Sequence, residues 1–415
     1  MSSRPRLLFV SPRYLWPLDQ GGKIRTANTL RGMKGGRFEI HLAAPLPPGR
    51  RDEREIAQVC DRFLSWPAPQ VSRARRLAAL LDRLPVGVAT DRSAAGSEVV
   101  AAALAERPDV VVADFPHSAV LLPPGRLGPP SVMFTHNVEA EIFERHAEVA
   151  RGAWRPVWRD QARKMRRFER DALHRFTRVI AVSARDAQAL RAQFGLDGRV
   201  DAIDTGVDLD FLGYTPPPLP PEGGGLVAFT GTMSARANVD GVQFLLDEVW
   251  PLVLRARPRA EAVIVGRDPP EALRRAARER GYAWRFTGFV DDVRPDVRAA
   301  HLSVIPLRVG SGTRIKAFES MALGRPVVST TVGVEGLAVE PGRHLLIADD
   351  APAFAAAVLR LLDEPALGAR LAADARALLE ARFSWAQVAA QFEAICETAL
   401  REEGGREGGS GELPP

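Results

Sequence analysis

Between Val309 and Thr330 the chain reads VGSGTRIKAFESMALGRPVVST. A turn of small residues, Gly310, Ser311, Gly312 and Thr313, precedes a helical pattern that carries Arg314, Lys316 and Glu319 and closes at Gly324. Glycines ahead of a helix leave backbone N–H groups free to face an anion, and the helix dipole adds about half a positive charge there. Cations in the first helical turn oppose that dipole, so Arg314 and Lys316 cost stability unless an anion compensates them. The stretch reads as a phosphate cradle, with an ordinary strand-turn-helix bearing solvated charges as the alternative.

His136, in Thr135-His136-Asn137-Val138-Glu139, follows an apolar strand-like run. That places it at the carboxyl edge of a sheet, where open α/β folds bind ligands, and an imidazole there suits hydrogen bonding to a ligand hydroxyl or to a reacting centre. The other histidines show no metal spacing, and Cys60 and Cys396 lie too far apart in sequence to suggest a disulfide framework. A reducing cytoplasm and a metal-free site are expected. Asp208-Leu209-Asp210 matches a metal-binding Asp-x-Asp pattern but falls in a turn, where aspartate favours caps. Arg151 to Arg178 is a basic stretch with Trp154 and Trp158 interleaved. With Arg155, Trp158 and Arg159 it reads either as an acceptor or anionic-membrane contact or as a solvated helix whose aromatics dock on its own domain. No nucleic-acid-binding fold accompanies it, so nucleic acid is not an expected partner.

The elements that must position these residues alternate. Strand-like runs at Leu7 to Val10, Glu39 to Ala43, Asp109 to Val112, Ser131 to Phe134 and Arg178 to Val182 are each followed by a turn signal and a helical pattern, which predicts βαβ units and parallel sheets. The rhythm stops at Thr215 to Gly225, TPPPLPPEGGG, and resumes with Leu226 to Phe229, Ala260 to Val265, Trp284 to Phe286, Ser303 to Pro306, Pro326 to Ser329 and His344 to Ile347. The expected division is an N-terminal domain over 1–211, a Pro/Gly-rich linker over 212–225 and a C-terminal domain over 226–383. A helix over 384–401 is expected to return to the N-terminal domain, and 402–415 to form a disordered tail.

Composition agrees with this reading. The 415 residues are 46% hydrophobic and 26% charged, with net charge +5, and so describe a folded chain that weakly favours anionic partners. No apolar run reaches the ~18 residues of a membrane span, and Leu7 to Val10 is too short for a signal-peptide core. No Gly-x-Gly-x-x-Gly follows the first strand, which disfavours a dehydrogenase.

Together, Glu319-Ser-Met-Ala and Gly324-Arg-Pro-Val-Val-Ser resemble the signature of family 4 retaining glycosyltransferases of GT-B architecture. The likeness extends to Gly21-Gly22 after the first strand, to Val179 to Ser183, and to Asp204-Thr-Gly-Val-Asp-Leu-Asp210. It also takes in Thr135 to Glu139, in the form found in bacterial exopolysaccharide systems, and Phe286-Thr-Gly-Phe-Val290. The resemblance implies two Rossmann-like domains facing across a cleft, with a nucleoside-diphosphate sugar as donor and no cofactor. It assigns Glu319 to the ribose hydroxyls, His136 to the donor sugar, and Gly21, Gly22, Gly231, Phe289 and Val290, with the 310–313 turn, to the donor. Ser311 stands where the family has a first glutamate. Thr232 and Ala237 stand where it has an arginine and a lysine, so the phosphate charge falls to Arg314 and Lys316, with Arg236 as a helper. The implied activity is a cytoplasmic, metal-independent hexosyl transfer to a carbohydrate or lipid-linked acceptor, peripheral to the inner membrane face. The alternatives are another GT-B enzyme such as a nucleotide-sugar epimerase, or a non-catalytic binding module.

Overall fold

The computed structural model describes residues 4–18, 20–50, 52–150, 152, 154–309 and 315–407. The chain divides into two compact units, residues 1–205 with 385–415, and residues 206–384.

Seven parallel strands build the first unit: β1 (Arg6–Val10), β2 (Glu39–Leu46), β3 (Arg62–Pro67), β4 (Val110–Asp114), β5 (Ser131–Phe134), β6 (Arg178–Ala181) and β7 (Val200–Ala202). Their order is β3-β2-β1-β4-β5-β6-β7. The unbroken apolar runs have a simple cause, since successive side chains enter opposite faces and both faces are covered. Leu7, Phe9, Val110 and Val112 join one core, while Leu8, Val10, Val111 and Ala113 join the other. The sheet order reverses between β1 and β4, the kind of switch point at which open α/β sheets hold ligands. β3 and β7 have no counterpart among the predicted strands. They are the two edges, carry the polar residues Arg62 and Asp201, and lack the two-sided apolar run.

The helix Trp385–Glu407 completes this unit. Gly32, in the helix Gly21–Met33, lets it approach so closely that a Cβ there would stand 2.6 Å from that of Ala389. Phe392 meets Phe134 edge-on at 5.1 Å between centroids. The stretch 402–415, expected to be disordered from its composition, is helical as far as Glu407. Extending an existing helix costs far less than nucleating one, and Glu402 accepts a 2.8 Å bond from Arg178 Nη1.

In the second unit the parallel order is β10-β9-β8-β11-β12-β13. The strands are β8 (Gly224–Thr230), β9 (Arg259–Val265), β10 (Trp284–Gly288), β11 (Leu302–Ile305), β12 (Val327–Ser329) and β13 (Leu346–Ile347). The expected linker 212–225 is not a free connector. The fully buried Arg325 donates to the carbonyls of Thr215 at 2.5 Å and Pro216 at 2.8 Å, and also to those of Arg298 and Ala300. A buried guanidinium needs acceptors, and the proline-rich backbone, with few donors of its own, supplies them. The Pro-rich stretch therefore belongs to the second unit, β8 starts inside it at Gly224, and the boundaries fall at 205/206 and 384/385. No described helix is long and apolar enough to cross a membrane.

Candidate active site

In the second unit the site forms where β8 ends. Gly231 follows the strand, and a Cβ there would lie 2.7 Å from Asn238 Nδ2 and 3.0 Å from Lys316 Nζ, so glycine is what admits both groups. Asn238, buried in the helix Arg236–Phe244, donates through Nδ2 to the carbonyl of Thr232 at 2.7 Å and accepts from Lys316 Nζ at 2.6 Å. The ammonium also lies 4.8 Å from the centroid of the Phe229 ring.

Glu319 stands three positions beyond Lys316 on the helix Ile315–Ala322, on the same side of the helix. Burial raises its carboxyl above the usual glutamate range, and Lys316 opposes the rise. Among the described residues its carboxylate has no hydrogen-bond or ion-pair partner, which leaves its oxygens ready to accept from a ligand. Gly310, Ser311, Gly312, Thr313 and Arg314 lie outside the described residues. Arg236 is exposed at the head of its helix, and Thr232 pairs with Ser234 at 3.1 Å. Beyond β10, Phe289 is 63% exposed, with the Arg267 guanidinium 5.0 Å from its ring centroid, and Val290 is half-buried beneath the loop. That pairing is a flat, cationic platform.

In the first unit His136 follows β5 and is 4% exposed. Its Nε2 lies 2.7 Å from Asp114 Oδ1 at the end of β4, and Asp114 also accepts from Ser11 Oγ and Thr26 Oγ1, each at 3.0 Å. The carboxylate fixes the tautomer: Nε2 carries the proton, so Nδ1 is an acceptor, 3.5 Å from Arg25 Nη1. Burial lowers the imidazole pKa below its ordinary value, with Asp114 pulling the other way, so His136 is neutral at pH 7. The Phe115 ring stacks on it at 4.0 Å. Phe115 has φ 60°, a conformation costing a non-glycine residue about 1–3 kcal/mol.

Gly21 and Gly22, expected as a turn, are the first two residues of the helix Gly21–Met33. The long β1 loop already completes the turn, and Gly22 lets the helix start pass close to both rings: a Cβ there would stand 2.5 Å from Phe115 Cζ and 3.6 Å from His136 Cγ. Arg25, one turn on, is buried and donates to Thr205 Oγ1, while its Nε has no partner among the described residues. Burial pushes its guanidinium down to about 10. A helix N-terminus, a buried guanidinium and a neutral imidazole thus meet at the switch point of the sheet, a setting that favours anions and hydroxyls.

Sequence reasoning missed Arg25, Asp114, Asn238 and Arg267. Asp114 had a readable signal, because a carboxylate closing the buried run Val110–Ala113 requires partners. Asn238 and Arg267 had none, since their roles depend on which loops approach each other.

On the basic helix Trp154–Leu173, Arg155, Arg159, Arg163 and Arg167 are exposed. Trp154 is 66% exposed, but Trp158, expected with it at an acceptor or membrane surface, is docked internally: it stacks on His146 at 4.6 Å and meets Phe143 at 5.9 Å. The fully buried Glu169 ties this helix to the helix Glu139–Val149, accepting from Glu139 N at 2.9 Å and Ala140 N at 2.7 Å. Asp208 caps a short turn of helix by accepting from Phe211 N at 2.8 Å, in line with reading the Asp-x-Asp as a turn.

Two parallel-sheet units of this kind, each with polar groups at the carboxyl ends of its strands, define the GT-B architecture. The solved structures agree: Anabaena HepE in complex with UDP superposes with TM-score 0.63 at 15% identity, covering 95% of this chain and all of the other. WaaG, a glycosyltransferase involved in lipopolysaccharide biosynthesis, gives 0.58 at 17% identity over 94% of this chain and 99% of its own. At such identities the likeness shows the fold. Residues 20–211 match the family described as Glycosyltransferase Family 4 and residues 224–364 the one described as Glycosyl transferases group 1. The chain belongs to the family 4 glycosyltransferases. Phosphatidyl-myo-inositol mannosyltransferase of Mycobacterium leprae is 33% identical over 47% of this chain and 53% of its own length. D-inositol 3-phosphate glycosyltransferase of Rhodococcus opacus is 29% identical over 51% of each. The matched stretches span about half the length of these relatives.

Proposed function

We propose that this glycosyltransferase takes a nucleoside-diphosphate sugar as donor and moves the hexose, with retention at the anomeric carbon, to a carbohydrate or lipid-linked acceptor hydroxyl. The product would enter cell-surface polysaccharide or glycolipid assembly. The observation that carries the reading is the pair on one helix: Lys316, anchored beside Gly231, and Glu319, a carboxylate without a described partner one turn later. An ammonium for phosphate and a carboxylate for vicinal ribose hydroxyls, at this spacing, suit a nucleoside diphosphate. The HepE structure was obtained with UDP, and the relatives act, by their names, on inositol-containing acceptors.

In the proposed reaction the bond from the anomeric carbon to the diphosphate oxygen breaks, and the bond to the acceptor oxygen forms on the same face of the sugar. The acceptor proton passes to the departing phosphate oxygen. Lys316, with Arg314 and the helix N-terminus, stabilises the charge that develops there, so no metal is required. The loop with Phe289 and Val290 carries the base. In the N-terminal unit, His136 offers Nδ1 as an acceptor to a sugar hydroxyl, with Asp114 as its positioning residue. The exposed arginines of the basic helix bring the enzyme to anionic lipid at the cytoplasmic face, where a lipid-linked acceptor would reside.

Glu319→Ala tests the assignment by calorimetry with UDP. Loss of a charge-assisted contact worth about 1.5–3 kcal/mol weakens binding roughly tenfold to a hundredfold. Unchanged affinity in the folded variant would remove Glu319 from the donor site.

A further inference from the structure

The stretch that Arg325 binds runs on to β8 as a strap over residues 214–223, without helix or strand. Pro216, Pro217, Pro218, Pro220 and Pro221 fall within it and have no N–H, so the strap cannot join a sheet and is held chiefly through its carbonyls. The holds are side chains of the second unit. Arg325 takes the Thr215 and Pro216 carbonyls, Arg257 Nη1 donates to that of Pro221 at 3.3 Å, and Arg259 donates to that of Glu222. Between them, His301 Nε2 donates to the Leu219 carbonyl at 3.2 Å. Guanidinium groups keep their charge through neutral and mildly acidic pH. The imidazole is the one hold that changes its proton count there.

The second ring nitrogen makes that change consequential. His301 immediately precedes β11, and its Nδ1 accepts from Leu226 N on β8 at 2.8 Å. With an N–H aimed at Nδ1, the proton of the neutral ring is on Nε2, where the Leu219 carbonyl receives it. A proton added to Nδ1 would confront the Leu226 N–H, two donors at hydrogen-bonding distance, and the ring would have to turn away from both partners. The charged groups facing it give the imidazolium no help. They are the Arg325 guanidinium, whose partners are carbonyls and one hydroxyl, and the Arg257 guanidinium, which is paired with Asp363 at 2.6 Å. Burial lowers the ring's pKa below its ordinary value and the two guanidiniums add to the drop, while the Leu219 carbonyl opposes it.

We propose that His301 is an acid-opened clasp: the neutral ring fastens the middle of the strap to β8, and protonation at Nδ1 frees it between the Arg325 and Arg257 holds, which stay shut. Leu219, already 79% exposed, then loses its one inward tie. The chain enters the second unit at Gly206, shortly before the strap, so acid adds slack near that entry while β8 keeps its pairing with β9 and β11.

Amide hydrogen exchange on the full chain tests the clasp, with each rate divided by that of an unstructured peptide at the same pH. Between pH 8 and pH 4.5 the protection of the Leu226 amide should fall about tenfold in the wild type, because an opening coupled to one proton gains about a factor of ten per pH unit below the ring's pKa. Ile264, in the middle of β9, should keep its protection over the same range. In His301→Asn the amide oxygen stands near the place of Nδ1, accepts the same N–H and does not titrate, so Leu226 protection should be the same at both ends of the range. Unchanged Leu226 protection in the wild type, or an equal loss in His301→Asn, would overturn the clasp. Leu226 and Ile264 losing protection in one step would make the event global unfolding and overturn it too. Nitrogen spectra of labelled histidine that place the His301 proton on Nδ1 at pH 8 would contradict the closed arrangement directly.

Discussion

Lys316 Nζ and Asn238 Oδ1 meet at 2.6 Å, and the same amide holds the loop after β8 through the Thr232 carbonyl. A neutral amide thereby aims the ammonium from the helix Ile315–Ala322 at the end of the first strand of its unit. Asn238→Ala is expected to leave Lys316 charged but badly aimed. UDP affinity, read by calorimetry, should fall about threefold to tenfold, the worth of one hydrogen bond of ~0.5–1.5 kcal/mol. Lys316→Ala should cost more, because the charge itself is lost. Equal affinities for wild type and Asn238→Ala would show that the amide does not position the cation.

The His136 imidazole is expected to titrate below the ordinary histidine value, because burial outweighs the pull of Asp114. Removing that pull in Asp114→Asn should lower the imidazole pKa further and free the tautomer. A histidine whose native pKa is depressed binds fewer protons folded than unfolded, so its contribution to stability is present above about pH 6.5 and is lost as pH falls below it. Nitrogen chemical shifts of labelled histidine, followed from pH 8 to pH 5, check both points. A His136 signal that titrates at pH 6.5 or higher would contradict the buried arrangement.

Much of this was readable in the residues, for a physical reason that also marks the limit. Central parallel strands are buried on both faces, so Leu7 to Val10, Val132 to Phe134 and Ala262 to Val265 are apolar throughout and declare themselves. The edges β3 and β7 are not, and they were invisible. Composition also misled where one distant contact dominates: the proline-rich stretch looked like a free linker because nothing local reveals the buried Arg325 that binds its carbonyls. Lys316 and Glu319 were visible through their spacing. The partners that orient site residues, Asp114 for His136 and Asn238 for Lys316, sit 22 and 78 residues away in sequence, a separation that no periodicity spans.

Burial pushes the Glu169 carboxyl up from 4.5 to about 8. Between those values the folded chain holds a proton that the unfolded chain has released, so unfolding free energy should fall as pH rises through the window, by up to about 1.4 kcal/mol per unit. Thermal melts at pH 6, 7, 8 and 9 are expected to show a descending midpoint in the wild type and a flatter profile in Glu169→Gln. Identical slopes would mean that Glu169 is ionised throughout, held so by its two backbone donors.

Arg155, Arg159, Arg163 and Arg167 on the basic helix are each expected to contribute about 1 kcal/mol near anionic lipid, an attraction that decays within a Debye length of about 8–10 Å. Sedimentation with phosphatidylglycerol vesicles should show binding at low salt that fades as salt is added. A residue of binding owed to the exposed Trp154 should remain, whereas Trp158, docked on His146 and Phe143, adds nothing to it. Charge reversal at the four arginines is expected to abolish sedimentation. Indifference of the wild type to these vesicles at low salt would leave the helix a solvated face.

The central claim is retaining transfer from a nucleoside-diphosphate sugar, and proton NMR of the reaction tests it most directly. The full chain is incubated with a panel of α-configured UDP- and GDP-hexoses, with and without octyl glycoside acceptors. The account predicts release of nucleoside diphosphate that depends on acceptor, matched mole for mole by a new α-anomeric signal. A β-anomeric product, interconversion of the donor sugar without acceptor, or no turnover of any donor would contradict it.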